Sequence, residues 1–532
     1  MLRSRLKYGV LILFFLLIVV LGWSYTWDDS AITMAFSKNF AQHGEIKPSV
    51  YSDRVEGYST FLWMVLLSWF FRSGCSPDTV LSLAKSITLL ISLLNFYLFY
   101  RILSAEFKND HLTFAGLFLF IFSGIIPVEA LDGMETPLYL LLLLLSFTGY
   151  LKKRVSPRYR DLYLVCSSML ILVRFEAAFF LLPFLIMDCK DEKWRIFRQP
   201  GLYIWVAVFV GYQIWHYSYF GTILPNTVLA KRQTMVFPNS RDVAGAVVFH
   251  LRPILRFFFT YSSVLLWVTL TTLRHKKRHN RYPSSLSRTS ILAFFLFLFG
   301  VFFNVVIGDN SGPINRMFYP FIPFFLILSL ALIAQTESRL LFSPKILTVV
   351  LVFLFLALHI RMFAFQVKDN ITVANYRRVA LAVDKVRLAT GKGRMVFAGP
   401  DMGGLLLYSR HLRVIDVAML CNRYLALHGY NVFEDYIFFR EKPDLLEIHT
   451  NWTEMSGIHE MDVFYRQYRP LYVDGMRFFI RCELLSELVQ DDLVYESPVP
   501  PLPKSGKIWP GDRKIDDTFK GCFIFDPPLS SS

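Results

Sequence analysis

Long apolar runs separated by short basic loops constrain this chain before anything else. Runs near 8–24, 79–101, 111–127, 136–150, 161–174, 175–189, 201–219, 253–273, 289–307, 317–334 and 345–363 approach the length a helix needs to cross a bilayer. The composition agrees: of 532 residues, 54% are hydrophobic and 18% charged, against about 25% charged in an average soluble domain. We expect a polytopic α-helical membrane protein with about eleven crossings over residues 1–364. Residues 365–532 are left for one soluble domain. The net charge of +15 does not point to nucleic acid. The Lys and Arg residues gather in the short loops, as they do where charge orients membrane helices.

Loop charge also sets the parity. Arg3, Arg5 and Lys7 precede the first run, and no small-residue cleavage site follows it, so it reads as a retained signal anchor. The next run, Tyr58–Phe71, is short for a span. If it crossed, the loop Lys152–Arg160 would fall outside. If it lies in the interface, that loop joins Arg101/Lys108, Lys190–Arg198, Arg274–Arg288 and Arg339/Lys345 on the cytoplasmic side. The positive-inside rule selects the second arrangement. Trp63 and Trp69 suit an interfacial helix.

On this topology every polar cluster of the membrane part collects on the outer face. The first outer loop, 24–78, carries Asp28, Asp29, Arg54, Glu56 and Tyr58. Later loops add Asp132 and Glu135, Arg174 and Glu176, Asn226 and Lys231, and Asp309 and Arg316. Ionisable groups at membrane depth are costly and mark sites. Arg174 and Glu176 sit at the turn between two short runs, which read as half-helices lining a cavity. The pattern predicts a charged, water-accessible cavity facing away from the cytoplasm.

After Phe363 the chain turns mixed and charged. Met395–Ala398, Val414–Asp416 and Leu445–His449 read as short buried strands, and Val373–Leu388 and Met402–Tyr408 as helices. The expectation is an α/β domain on the outer, periplasmic side. The glycines of GKGRMVFAGPDMGG, Gly391–Gly404, lack the GxGxxG spacing and read as structural. The tail segments Pro498–Asp512 and PPLSSS read as extended. Tyr424, Tyr430, Tyr436 and Trp452 are candidates either for stacking on sugars or for core packing. The six cysteines match no metal spacing. One disulfide among Cys421, Cys482 and Cys522 is compatible with an exported domain, and so are free thiols.

Several segments resemble a known family. DDSAITMAFSKNFAQHGEI (Asp28–Ile46) with RVEGYSTFLW (Arg54–Trp63) is similar to the first outer loop of polyprenyl-phosphate-sugar-dependent glycosyltransferases of the GT-C superfamily. LDGMETPLY (Leu131–Tyr139), VRFEAAF (Val173–Phe179), LPNTVLAKR (Leu224–Arg232), GDNSGPINRMFYPFIP (Gly308–Pro323) and YSRHLRVIDVAML (Tyr408–Leu420) resemble the branch of mycobacterial terminal β-arabinofuranosyltransferases. The chain departs from that pattern at Ser30, Met34, Phe175 and Val228–Ala230.

The resemblance implies a GT-C-like catalytic membrane domain. It would move a sugar, arabinofuranose among the candidates, from a polyprenyl-phosphate donor to an envelope glycan or glycolipid. An acid of the first outer loop would be the base. Asp28 is our first choice, with Asp29 orienting the acceptor or, with Asp28, holding a divalent cation such as Mg or Mn. A departing lipid phosphate needs positive charge, and Arg forks match its oxygens. Arg54, Lys231 and Arg316 are the candidates, with Glu56 fixing Arg54 and Tyr58 flanking the lipid. Asp132, Glu135, Arg174, Glu176, Asn226 and Asp309 are candidate sugar contacts or supports. A single base with direct displacement predicts inversion. The alternative class is a transporter or flippase for a lipid-linked or anionic solute. It requires access from both faces, and no internal repeat is visible. A third reading is an envelope scaffold whose soluble domain binds glycan.

Overall fold

The computed structural model describes residues 2–192, 200–234, 243–279, 286–308, 316–335, 345–369, 371–498, 510–519 and 521–525. Asp309, much of the basic loops 190–198 and 274–288, and most of the tail 498–512 lie outside the described residues.

The first apolar run is α1 (Leu2–Leu21), and the first loop holds α2 (Asp28–His43) and α3 (Phe61–Arg72). Then come α4 (Pro77–Phe107), α5 (Asp110–Ile121), α6 (Ile125–Leu131) and α7 (Thr136–Lys152). A broken run holds α8 (Pro157–Val173), α9 (Ala177–Phe180) and α10 (Leu182–Glu192). It is followed by α11 (Pro200–Phe220), α12 (Asn226–Thr234), α13 (Val243–Thr260), α14 (Ser262–His279) and α15 (Arg288–Ile307). A 3-10 turn, Arg316–Phe321, leads into α16 (Ile322–Ala334), and α17 (Lys345–Asp369) ends the bundle.

Among the described residues four segments are long and apolar enough to cross a bilayer alone: Pro77–Phe107, Arg288–Ile307, Arg316–Ala334 and Val349–Lys368. Two bent pairs bring the number to six. The expected runs 111–127 and 253–273 are these pairs, so neither is one straight helix. The first bends by 57° between α5 and α6, the second by 66° between α13 and α14. Gly124 permits the first bend, because a Cβ there would lie 2.3 Å from the His359 carbonyl oxygen of α17. The bends also satisfy each other: Tyr261 donates to Ser123 Oγ at 2.8 Å, both side chains being buried. Hydroxyls at breaks in membrane helices take up polar capacity that lipid cannot.

The helix expected to lie in the interface begins at Phe61, later than the expected Tyr58. Its two tryptophans part company. Trp69 is 69% exposed, whereas Trp63 is 2% exposed and donates from Nε1 to the Gly133 carbonyl at 3.1 Å. Trp63 therefore anchors the helix to the bundle rather than to lipid headgroups.

The C-terminal domain opens with α18 (Val373–Ala389), β1 (Met395–Gly399), α19 (Gly403–Tyr408) and β2 (Leu412–Asp416). The further strands are β3 (Leu445–Leu446), β4 (Tyr468–Val473), β5 (Met476–Arg481), β6 (Val494–Ser497) and β7 (Cys522–Phe525). They form one sheet in the order β2-β1-β3-β5-β4-β7-β6. β1 pairs parallel with β2 and β3, and β5 pairs antiparallel with β3 and β4. Val383, Val386 and Leu405 pack on Met395, Phe397 and Leu471 as the core of one face. The tail is not extended throughout. Pro510–Thr518 is a helix and β7 joins the sheet, because Ile515 and Phe519 bury against Phe479 and Phe464. All six cysteines are free thiols.

Candidate active site

The domain is tied to the bundle through the first loop. Asp28 N–H donates to the Ile371 carbonyl and Val373 N–H to the Thr26 carbonyl, making an antiparallel bridge between Trp27 and Thr372. Lys38 Nζ donates to the Leu407 carbonyl at 2.7 Å. Asn226 Nδ2 donates to the Met419 and Leu420 carbonyls, each at 2.8 Å. Between the two parts lies a cavity of about 270 Å³ with several charged side chains in its lining. Its floor includes Asp29, Tyr58, Glu135 and Arg174, and its roof includes Asp401, Met402 and Trp452. Lys231 and Arg316 line it as well.

Asp28 and Asp29 open α2, yet their surroundings differ. Trp27 is the N-cap and makes no side-chain cap. The buried Asp28 carboxylate points away from its own helix and accepts the N–H groups of Gly403 and Gly404, each at 2.7 Å. Both glycines are needed for that approach: a Cβ on Gly403 would lie 2.0 Å from the Asp28 carbonyl oxygen, and one on Gly404 2.7 Å from that of Val373. This accounts for the glycines of the DMGG turn without a nucleotide. Burial drives the Asp28 carboxyl well above its ordinary range, with Asp401 and Asp29 adding to the effect and the two N–H groups opposing it.

Asp29 faces the cavity and keeps 40% of its side chain exposed. One carboxylate oxygen lies 3.5 Å from Arg316 Nη1. Enclosure raises this carboxyl above the ordinary range and Asp401 raises it further, while Arg316 and Lys231 pull it down. Arg316 sits 5.0 Å over the Trp27 ring, which fixes the guanidinium beside the acid. Burial, together with Arg174 and Arg316, lowers Lys231 to about 8. The buried Tyr58 hydroxyl has no hydrogen-bond partner among the described residues. Its ring stands edge-on to Phe36 at 4.9 Å.

The remaining candidates divide. Arg174 Nε lies 2.6 Å from Glu176 and its Nη1 3.0 Å from Glu135, one buried ion-pair group on the cavity wall. Asp132 is buried behind the wall and accepts the Trp27 N–H at 3.3 Å. Asn226 holds the domain, and its neighbour Thr227 lines the cavity. Arg54 lies outside the cavity. It pairs with Glu45 at 3.0 Å, is 52% exposed, and rests 5.1 Å over the Tyr219 ring. The expected Arg54–Glu56 pair does not form. Glu56 is buried instead, accepting from Tyr212 at 3.0 Å and lying 2.5 Å from His216 Nε2. The reason is direction: Arg54 turns to solvent, while Glu56 turns into the bundle, where only buried partners remain.

Among the described residues no three His, Cys, Asp or Glu side chains converge as metal ligands. Each Asp28 oxygen accepts one backbone N–H, from Gly403 and Gly404.

The roof residues Asp401 and Trp452 were not among the expected catalytic groups. Asp401 follows β1 in the GPDMGG turn, where the glycines are the most conspicuous residues. The signal that could have found it is an acid at the end of a buried strand, the usual position for site residues in α/β sheets. Of the four aromatic candidates, Trp452 reaches the cavity. Tyr424 stacks on Tyr436 at 4.7 Å and Tyr430 donates to the Val417 carbonyl, both packing within the domain.

No family model matches the chain. No curated protein matches it by sequence either. Among solved structures it is similar to ArnT from Cupriavidus metallidurans. The apo form aligns with TM-score 0.55 and 11% identity, over 90% of this chain and 98% of that one. The form bound to undecaprenyl phosphate aligns with TM-score 0.54 and 12% identity over the same shares. At this identity the likeness is one of fold alone: a helical membrane part followed by a C-terminal sheet domain.

Proposed function

We propose that this chain is a polyprenyl-phosphate-dependent glycosyltransferase acting on the outer side of the cytoplasmic membrane. The observation that carries the reading is the cavity pair Asp29–Arg316, an acid 3.5 Å from a guanidinium with Lys231 beside them. Glycosyl transfer needs both parts: a base for the acceptor proton and cations for the leaving phosphate. A fold shared with a protein solved with undecaprenyl phosphate supports the donor class. A pentofuranose, arabinofuranose first, is the sugar we favour, and an envelope glycan or glycolipid the acceptor.

Sequence alone put the base on Asp28. We place it on Asp29, because Asp28 spends both oxygens on Gly403 and Gly404. Asp29 takes the proton from an acceptor hydroxyl. The acceptor oxygen forms its bond to the anomeric carbon as the bond from that carbon to the phosphate oxygen breaks. The electron pair leaves with polyprenyl phosphate, whose new charge meets Arg316 and Lys231. A single displacement inverts the anomeric centre. Tyr58, whose hydroxyl has no partner among the described residues, is our candidate for a donor contact.

The test is sugar transfer in membranes supplied with radiolabelled polyprenyl-phosphate sugars and envelope glycan acceptors, comparing wild type with Asp29→Asn and Asp28→Asn at matched protein level. Loss with Asp29→Asn of about 10²-fold or more supports the base. Full transfer by Asp29→Asn removes it. Movement of lipid-linked sugar across the bilayer without transfer would favour the transporter class.

A further inference from the structure

The roof of the cavity holds a second constellation that the displacement step does not use. Asp401 Oδ2 lies 3.3 Å from His449 Nε2 and 3.4 Å from the Tyr376 hydroxyl. Tyr376 also donates to Glu447 at 3.1 Å. The hydrogen bond and ion pair of Asp401 both run through Oδ2, and Asp401 lines the cavity. Burial lowers His449, but Asp401 and Glu447 raise it more, to about 9. The imidazole therefore holds Asp401 by its Oδ2 and turns the carboxylate to one side.

The next residue is strained. Thr450 has φ 56° and ψ −133°. A β-branched side chain at such a positive φ is an outlier that persists only where its surroundings impose it. Asp512 does the imposing. Its Oδ2 accepts the Thr450 N–H at 2.7 Å and its Oδ1 the Thr453 hydroxyl at 2.6 Å. The strained link lies between His449, which holds Asp401, and Trp452, which lines the same cavity. Strain held at such a point directs two side chains to one space.

We infer that Asp401 and Trp452 form the acceptor subsite: a sugar ring stacks its apolar face on the Trp452 indole while one hydroxyl donates to Asp401 Oδ1. An indole beside a hydrogen-bonded carboxylate has the chemistry of carbohydrate recognition, an apolar plate and an oriented acceptor. The subsite rests on the glycosyltransferase reading, since it supplies the hydroxyl that Asp29 deprotonates. Asp512 and Thr450 are positioning residues.

The experiment is saturation-transfer NMR on the full chain in detergent, with methyl glycosides of arabinofuranose, galactopyranose and glucosamine as probes. Undecaprenyl phosphate binding is measured in parallel. Wild type should transfer saturation to at least one glycoside. Trp452→Ala and Asp401→Asn should cut that signal at least fivefold, Trp452→Phe should retain most of it, and undecaprenyl phosphate should bind all four proteins alike. Thr450→Gly should raise the melting temperature yet weaken the glycoside signal, a combination that a purely structural role for the strain does not produce. No glycoside signal in wild type, or an equal signal in Trp452→Ala, overturns the subsite. Failure of wild type to bind undecaprenyl phosphate while the glycoside signal behaves as described overturns the donor reading instead.

Discussion

The Asp28 carboxylate accepts the Gly403 backbone N–H at 2.7 Å, joining positions 375 residues apart in sequence. With the Gly404 N–H at the same distance, one side chain fastens the soluble domain to the first loop. Asp28→Ala leaves two buried N–H groups unpaired, each costing about 1–3 kcal/mol. Gly403→Ala forces a Cβ into the Asp28 backbone, an overpacking of about 1–3 kcal/mol or more. Because both changes break one contact, the double variant should fall well short of their sum. Thermal unfolding in detergent measures all three.

The activity profile should be bell-shaped in pH. Asp29 acts as a base only when deprotonated, and its carboxyl is raised, so the acid limb should lie above the usual carboxylate range. Lys231 assists the phosphate only when protonated, and burial sets it at about 8, so kcat/KM should fall as pH rises through that region. Lys231→Arg should remove the alkaline limb, since a guanidinium stays charged. A profile unchanged in Lys231→Arg would place the titrating group elsewhere.

Arg316 and Arg54 should behave differently. Arg316→Ala removes the guanidinium beside Asp29 and should lower kcat by about 10²-fold or more. Arg54→Ala removes an exposed partner of Glu45 and should change kcat and donor KM far less. Steady-state kinetics with one donor preparation decides it.

The Glu56–His216 pair should be structural. His216 Nδ1 donates to the Thr222 carbonyl at 2.7 Å, so Nε2 is the nitrogen that meets Glu56. Glu56→Ala leaves His216 buried without its partner and should cost about 3–5 kcal/mol. Replacing both residues with apolar ones of similar size should recover most of that loss. A double-mutant cycle on unfolding temperatures reads the coupling.

Much of this architecture was legible because membrane burial writes strongly into composition. The apolar runs located most of the helices, and short buried runs located β1, β2 and β3. The bends were not legible. Nothing in residues 111–127 announces that Gly124 must lie against His359, since that contact is made with α17. The site was legible as a set of outer-loop charges and not as a geometry. Adjacent Asp28 and Asp29 look equivalent in a string, but neighbours on a helix point about 100° apart. Both line the cavity, but Asp28 fastens to the DMGG turn while Asp29 pairs with Arg316. Arg54 and Glu56 misled for a related reason: two residues apart they seemed paired, yet they face solvent and core. Trp452 stood as one of four aromatic candidates and Asp401 as none, because only the folded domain brings the two over the first loop.

The cavity has no single owner. Its floor comes from the first loop and the bundle, its roof from the domain, and the seam between them is stitched by Asp28, Lys38 and Asn226. This limits modular exchange. A chimera that grafts a relative's soluble domain onto this bundle inherits a roof without its matching seam, and specificity should travel only when the first loop and the 226–231 segment move with it.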